Sequence, residues 1–258
     1  MEIIIKGNTE GSKLAAEYKA IAIIIDVLLA STTIPLAMMK GISNFYISRE
    51  VEDAYTIKKL YNTLLIGERD CLKLPNFDFG NSPVEISRLK KIKTKSAAFT
   101  SSTGAKRIVE AIGSKFIIIG SLVNAQAVAN KVINLLQQKS EQKQKVILIP
   151  AYTEGSILSA KITEDQIGAL IIVNAFKQLG IKIETKYNEE LKYLEGLLEK
   201  KSLSDLFMET DHGKKLLGLN FKEDIEFCGK LNIIKIVPIS NNDYMELPNK
   251  NLAVKFVI

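Results

Sequence analysis

Short apolar runs bounded by polar turns recur along the chain, and between them apolar residues fall at helical spacing. The runs predict strands over residues 3–5, 20–25, 44–47, 64–66, 96–99, 116–119, 146–149, 233–238 and 252–258. The run at 20–25 is continuous and rich in isoleucine, the pattern of a strand buried on both faces. The intervening spacings predict helices over 31–40, 51–61, 104–112, 124–137, 162–179, 187–207 and 213–219. Ser31 and Thr32 suit a helix start with Pro35 in its first turn. Glu164 and Asp165 after Thr163 favour the positive end of a helix dipole. Strand, polar turn and helix in repetition predict an α/β fold, a mainly parallel sheet flanked by helices on both faces. Residues 1–258 read as one α/β unit, and a division into two subdomains would fall at the linker-like stretch 139–145, KSEQKQK.

The polar stretch 67–83, GERDCLKLPNFDFGNSP, interrupts this rhythm. Its glycines and prolines exclude a regular helix or a central strand. It is long for a plain connection and follows a predicted strand end, where open α/β sheets bind ligands. Glu68, Arg69, Asp70, Asp78 and Asn81 are its chemistry-bearing residues.

Composition narrows the function classes. The 258 residues are 47% hydrophobic and 25% charged, enough to bury a core without covalent staples. The net charge of +6 comes from scattered lysines. The one dense basic run, Arg88 to Lys95, reads as a solvated surface, and no aromatic pattern for stacking bases accompanies it, so no nucleic-acid partner is expected. Two distant cysteines, Cys71 and Cys228, are neither a disulfide framework nor a zinc pattern, and one histidine excludes a His-based metal cluster within one chain. No run of about 18 apolar residues predicts a membrane span, and the MEIIIKGN start has none of the parts of a signal peptide. A cytoplasmic setting is expected.

Four segments place polar residues after predicted strands or at helix starts. Asp26 closes the 20–25 strand and precedes Ser31, Thr32 and Thr33, whose hydroxyls and free N–H groups would bind an anion while the carboxylate holds Mg²⁺. The same hydroxyls serve equally as helix caps, which leaves Asp26 unexplained. The 67–83 loop is the second segment. Ser101, Ser102 and Gly104, followed by Lys106, form the third and offer another anion site or a capped helix. Glu164 and Asp165 form the fourth and by themselves read as first-turn acids. Glycine-rich nucleotide fingerprints are absent. His212 beside Gly213 reads as a surface histidine, and Cys228 beside Phe227 as a packed core thiol.

These residues, in this order, carry a resemblance. Asp26-Val27-Leu28-x-Ala30-Ser31-Thr32-Thr33, Gly67-Glu68-Arg69, Phe77-Asp78-x-Gly80-Asn81-Ser82-Pro83, Gly120-Ser121-x-x-Asn124-Ala125, Glu164-Asp165 and Asp224-x-x-Phe227-Cys228 together resemble the 2-phosphosulfolactate phosphatases of coenzyme M biosynthesis, the ComB-like family. The resemblance implies Mg²⁺-dependent hydrolysis of 2-phospho-3-sulfolactate, or of a related small acidic phosphomonoester, to the 2-hydroxy acid and phosphate. It implies catalytic roles for Asp26, Glu68 and Asp78, and Mg²⁺ ligands among Asp26, Glu68 and Asp165. It also implies substrate contacts from Ser31, Thr32, Arg69, Asn81, Ser101, Ser102, Gly104 and Lys106. Both a covalent aspartyl-phosphate and direct attack by water stay open, and a homodimer is an allowed assembly. The chain departs from the family pattern where Arg usually follows Asp-Val-Leu (here Leu29). It departs again where Thr-Thr-Asn-Gly-Thr-Arg is usual (here Ser101 to Lys106), and where Cys-Ala-Gly is usual (here Pro150-Ala151-Tyr152). The thinned anion contacts raise an alternative, a catalytically impaired member that binds small anions or regulates.

Overall fold

The computed structural model describes residues 1–137, 144–158 and 161–258; most of the linker-like stretch, 139–143, lies outside them. The first half contains β1 (Glu2–Ile5), α1 (Asn8–Glu17), β2 (Ile21–Ile25), α2 (Ala30–Met39), β3 (Asn44–Ser48), α3 (Val51–Tyr61), β4 (Leu64–Arg69), β5 (Leu72–Lys73), α4 (Pro83–Ser87), β6 (Ser96–Thr100), α5 (Gly104–Glu110), β7 (Phe116–Ile119) and α6 (Ala125–Gln137). The second half contains β8 (Lys145–Pro150), α7 (Glu164–Gln178), α8 (Thr185–Leu198), α9 (Leu203–Glu209), α10 (Asp211–Gly218), α11 (Lys222–Cys228), β9 (Ile239–Ser240), β10 (Tyr244–Glu246) and β11 (Leu252–Phe256).

The fold is α/β as expected, but the strands form two mixed sheets, so the expectation of one mainly parallel sheet holds only in part. The first runs β1-β8-β2-β7-β9 and is parallel except at its edge strand β9. The second runs β10-β11-β3-β6-β4-β5, with β3, β6 and β4 parallel and β11, β10 and β5 antiparallel. The β4–β5 and β10–β11 pairs are antiparallel because the chain turns back through a short connection, with no helix to carry a parallel crossover.

Side-chain alternation assigns the layers. Ile21, Ile23 and Ile25 of β2 pack with α6, α7 and α9 in one core, while Ala22 and Ile24 face the other way. That second core also holds Ala15 of α1, Ile34 and Leu36 of α2, and Ala105 and Ile108 of α5, and it is closed by Phe45, Ile47, Ile66 and Phe99 from the second sheet. Tyr46, Leu65 and Ala98, on the far face of that sheet, pack against Ala54 and Ile57 of α3. Helices α1, α2 and α5 thus form a middle layer shared by both sheets, and both faces of each sheet's central strands are covered, as their unbroken apolar runs require.

Two predicted elements differ. The helix expected over 187–207 is two, because Ser202 caps α9 by accepting from Asp205 N at 3.1 Å and breaks the run. The strand expected over 233–238 makes no ladder. It is chain tied to the helical turn after β7 through Ile234 N to Val123 O at 2.8 Å, and pairing begins only at β9. No helix among the described residues is long and apolar enough to cross a membrane.

Candidate active site

The carboxyl ends of β2, β4, β6 and β8 come together between the sheets, and the loops that follow them enclose a cavity of about 430 Å³. Asp26, Glu68, Asn81, Ser102, Tyr152, Glu164, Asp165, His212 and Lys215 are on its wall. Of the sequence-expected site residues, the structure brings Asp26, Glu68, Asn81, Ser102 and Asp165 to this one place.

Asp26 is held from behind. Its backbone N–H donates to Ser31 Oγ at 2.8 Å, and Ser31 N donates to Asp26 O at 2.8 Å. Ser31 and Thr32 are therefore buried supports, Thr32 Oγ1 bonding Val27 O at 3.1 Å and Ser121 Oγ at 2.9 Å. Gly104 donates its N–H to the Asp26 carboxylate, and a Cβ on Gly104 would collide with Asp26 Oδ2. Ser101 Oγ accepts from Ala105 N at 3.1 Å and anchors the same helix start. Burial pushes the Asp26 carboxyl up to about 6 against the pull of His212, with Glu68 and Glu164 adding to the push.

Two other acids spend their oxygens on the loops. Glu68 Oε1 accepts from Ser102 N at 2.7 Å, and Oε2 from Cys71 N at 2.7 Å and Ser102 Oγ at 3.1 Å. Asp165 Oδ1 accepts from Val27 N at 2.7 Å and Oδ2 from Tyr152 N at 3.0 Å, which fastens α7 to the ends of β2 and β8. Burial and the charges of Glu164 and Asp26 push Asp165 upward, opposed by those two N–H donors. Asn81 Oδ1 is buried without a partner. Its loop is fixed from the other side by Asp224 Oδ1, which accepts from Ser82 Oγ at 2.6 Å and Val84 N at 3.0 Å.

Three expected residues lie elsewhere. Asp78 Oδ2 accepts from Leu65 N at 2.7 Å and pairs with Lys58 at 3.4 Å, pinning its loop to β4. The Arg69 guanidinium is consumed by Glu68 O, Arg49 O and Thr100 Oγ1 at 2.7–2.9 Å. Lys106 points along α5 to Glu110, 4.0 Å away.

His212, read from sequence as a surface histidine, is on the wall. Its Nδ1 lies 3.1 Å from Glu164 Oε1 and its Nε2 3.6 Å from Cys71 Sγ. Burial alone would lower its pKa, but the hydrogen bonds to Cys71 and Glu164 and the charges of Glu164 and Asp26 hold it up to about 11. Cys71, Tyr152 and Lys215 were likewise missed; α10 follows β8 by some sixty residues and nothing local in it announces the cavity.

For Mg²⁺ the donor chemistry fits. The cavity offers oxygen atoms, and Asn81 Oδ1 is a buried acceptor with nothing to accept. Among the described residues no group of three or more His, Cys, Asp or Glu forms a ready cage. Mg²⁺ commonly takes only one or two carboxylates and completes its shell with water and phosphate.

The sequence profile of the 2-phosphosulpholactate phosphatase family matches residues 8–243. The chain belongs to this family. A probable 2-phosphosulfolactate phosphatase of Carboxydothermus hydrogenoformans is 33% identical over 224 residues, covering 86% of this chain and 87% of that one. Relatives with the same name from Clostridium tetani (31%, 85% and 89% covered) and Thermotoga petrophila (30%, 84% and 87%) align similarly. Membership of the 2-phosphosulpholactate phosphatase family makes the chain an enzyme, a phosphoric monoester hydrolase.

Proposed function

We propose that the chain hydrolyses 2-phosphosulfolactate, the substrate in its relatives' names, to the 2-hydroxy acid and phosphate, with Mg²⁺ as cofactor and in the cytoplasm. The observation that carries this reading is Asp26, a buried carboxylate at the end of an all-apolar strand, facing a cavity beside an unpartnered amide oxygen.

The wall holds Asp26, Glu68, Asp70, Glu164, Asp165 and Asp211 against His212 and Lys215. A polyanionic substrate meets net negative charge there, so added positive charge is needed before it can enter. Because Glu68 and Asp165 are committed to loop N–H groups, Asp26 and Asn81 Oδ1 are the atoms we assign to hold the ion. When bound, Mg²⁺ would neutralise phosphoryl oxygens.

The protein's own groups supply the rest. Gly104 N–H holds the Asp26 carboxylate in one orientation, and Asp26 orients the water that attacks phosphorus. The bond from phosphorus to the C2 oxygen breaks as the new bond to water oxygen forms. The Ser102 hydroxyl donates to Glu68 and shapes the wall, while His212 and Lys215 offset the anionic groups of the substrate. Glu68 and Asp165 act as positioning residues, fixing the loops that carry Ser102 and Tyr152.

The test is phosphate release from 2-phosphosulfolactate and from 2-phospholactate, with and without Mg²⁺. Release that needs Mg²⁺ and falls by roughly three orders of magnitude in Asp26→Asn is expected. Absence of release from folded protein would leave anion binding without turnover as the better reading.

A further inference from the structure

Phosphoryl transfer as assigned above gives no task to the thiol of Cys71 at the cavity wall. It belongs to the turn between β4 and β5, where Asp70 and Cys71 both take left-handed backbone angles, φ 53° and 71°. The turn is held in place by Cys71 N to Glu68 Oε2 and by Asp70 N to Ser102 Oγ at 3.2 Å. Cys71 Sγ faces His212 Nε2 at 3.6 Å, and the other ring nitrogen of His212 meets Glu164 Oε1 at 3.1 Å. Sulfur, imidazole and carboxylate thus stand in line, contributed by a hairpin, by the start of α10 and by the first turn of α7.

That order has a chemical meaning. A nucleophile within reach of a ring nitrogen, with the ring oriented by a third group at its far nitrogen, is the arrangement that activates Ser and Cys side chains. The Glu164 side chain is only 4% exposed, so its hold on the ring is shielded from water, whereas Cys71 is half-buried and open to the cavity. Cys228, by contrast, is fully buried in the outer core, and burial pushes its thiol up.

We propose that Cys71 is a covalent modification site, a thiol activated by His212 and Glu164 that reacts with small electrophiles entering the cavity, hydroperoxides being the natural class. The thiol proton passes to bulk water, and the imidazolium of His212, held in place by Glu164, faces the sulfur at 3.6 Å. The sulfur attacks one oxygen of the peroxide; an S–O bond forms and the O–O bond breaks. Sulfur is oxidised by two electrons to the sulfenic acid, the peroxide is reduced, and the departing hydroxide takes a proton from the His212 imidazolium to leave as water, the ring regaining its proton from solvent. The new oxygen then occupies space beside Ser102 and Glu68, and the cavity is blocked to a phosphorylated substrate.

With two cysteines in the chain, one of them buried, labelling of the folded protein reads Cys71 directly. Iodoacetamide at neutral pH should add one group per chain, at Cys71, roughly tenfold faster than it reacts with glutathione. His212→Gln and Glu164→Gln should each bring that rate back towards glutathione's. Hydrogen peroxide followed by dimedone should give one adduct, at Cys71. The same treatment should remove phosphatase activity from the wild type, reversibly with dithiothreitol, and leave Cys71→Ser active. Labelling of wild type no faster than glutathione, or an equal rate in both variants, overturns the activated thiol. Fast alkylation with no dimedone adduct overturns the hydroperoxide assignment. The labelling rates need no turnover, so they stand apart from the phosphatase reading.

Discussion

The carboxyl group of Asp26 follows a strand of five apolar residues and is largely buried at the cavity wall, and burial holds its proton to about pH 6. In the unfolded chain the same group ionises near pH 3.9. Between those values the folded protein binds more protons than the unfolded one, so stability falls as pH rises through that window and stays reduced above it. Asp26→Asn removes this ionisation. The variant should be the more stable protein at pH 8 by on the order of 2 kcal/mol, and the gain should vanish below about pH 4, as read by denaturant titration at both pH values. It should also be inactive, so stability and turnover would move in opposite directions. Gly104 is the second sensitive position: in Gly104→Ala the new methyl displaces the Asp26 carboxylate. Activity should drop by roughly tenfold to a hundredfold while the fold survives, checked by kcat alongside Tm. The position of Asp26 was legible in the sequence because a charged residue closing an apolar run has no structural excuse. The fates of Arg69 and Asp78 were not legible. Their types suit anion binding and catalysis, and only the fold shows their polar atoms already taken by Thr100, Arg49 and Leu65.

Elements were readable where one period dominates. Helix α3 and strand β7 begin and end where their patterns predict, and Thr163 opens α7 through a reciprocal cap with Gln166. Short elements escaped because they carry too few residues to establish a period: β5, α4 and β9 are two to five residues long. Helix α4 shows what then fixes such an element. Pro83 fills its first turn, Ser82 accepts from Glu85 N at 3.0 Å, and Asp224 reaches in from α11 to accept from Ser82 and Val84. Asp224→Ala should cost about 1–3 kcal/mol in denaturant unfolding, since a buried hydroxyl and a backbone N–H lose their acceptor. Because Asn81 immediately precedes this cap, the same variant should need more Mg²⁺ to reach full activity, measured by metal titration.

Over the whole molecule, strands were visible but their partition was not. A parallel strand covered on both faces has the same apolar signature whichever sheet it joins, and β2 and β6 belong to different sheets facing a common helical layer. The convergence of their ends sets the balance of charge in the cavity, six carboxylates against two cations. Inorganic phosphate alone should therefore leave Tm unchanged, and phosphate with Mg²⁺ should raise it, as scanning calorimetry would show. The parts of the cavity wall that follow β2, β4, β6 and β8 grow from strand ends and cannot shift without disturbing a register. The wall with His212 and Lys215 belongs to α10, an eight-residue helix seated on α9 and α11. That wall is free to drift. Its length and charge can be rewritten while both sheets stay as they are, so a lineage acquiring a new phosphoester would be expected to record the change there first.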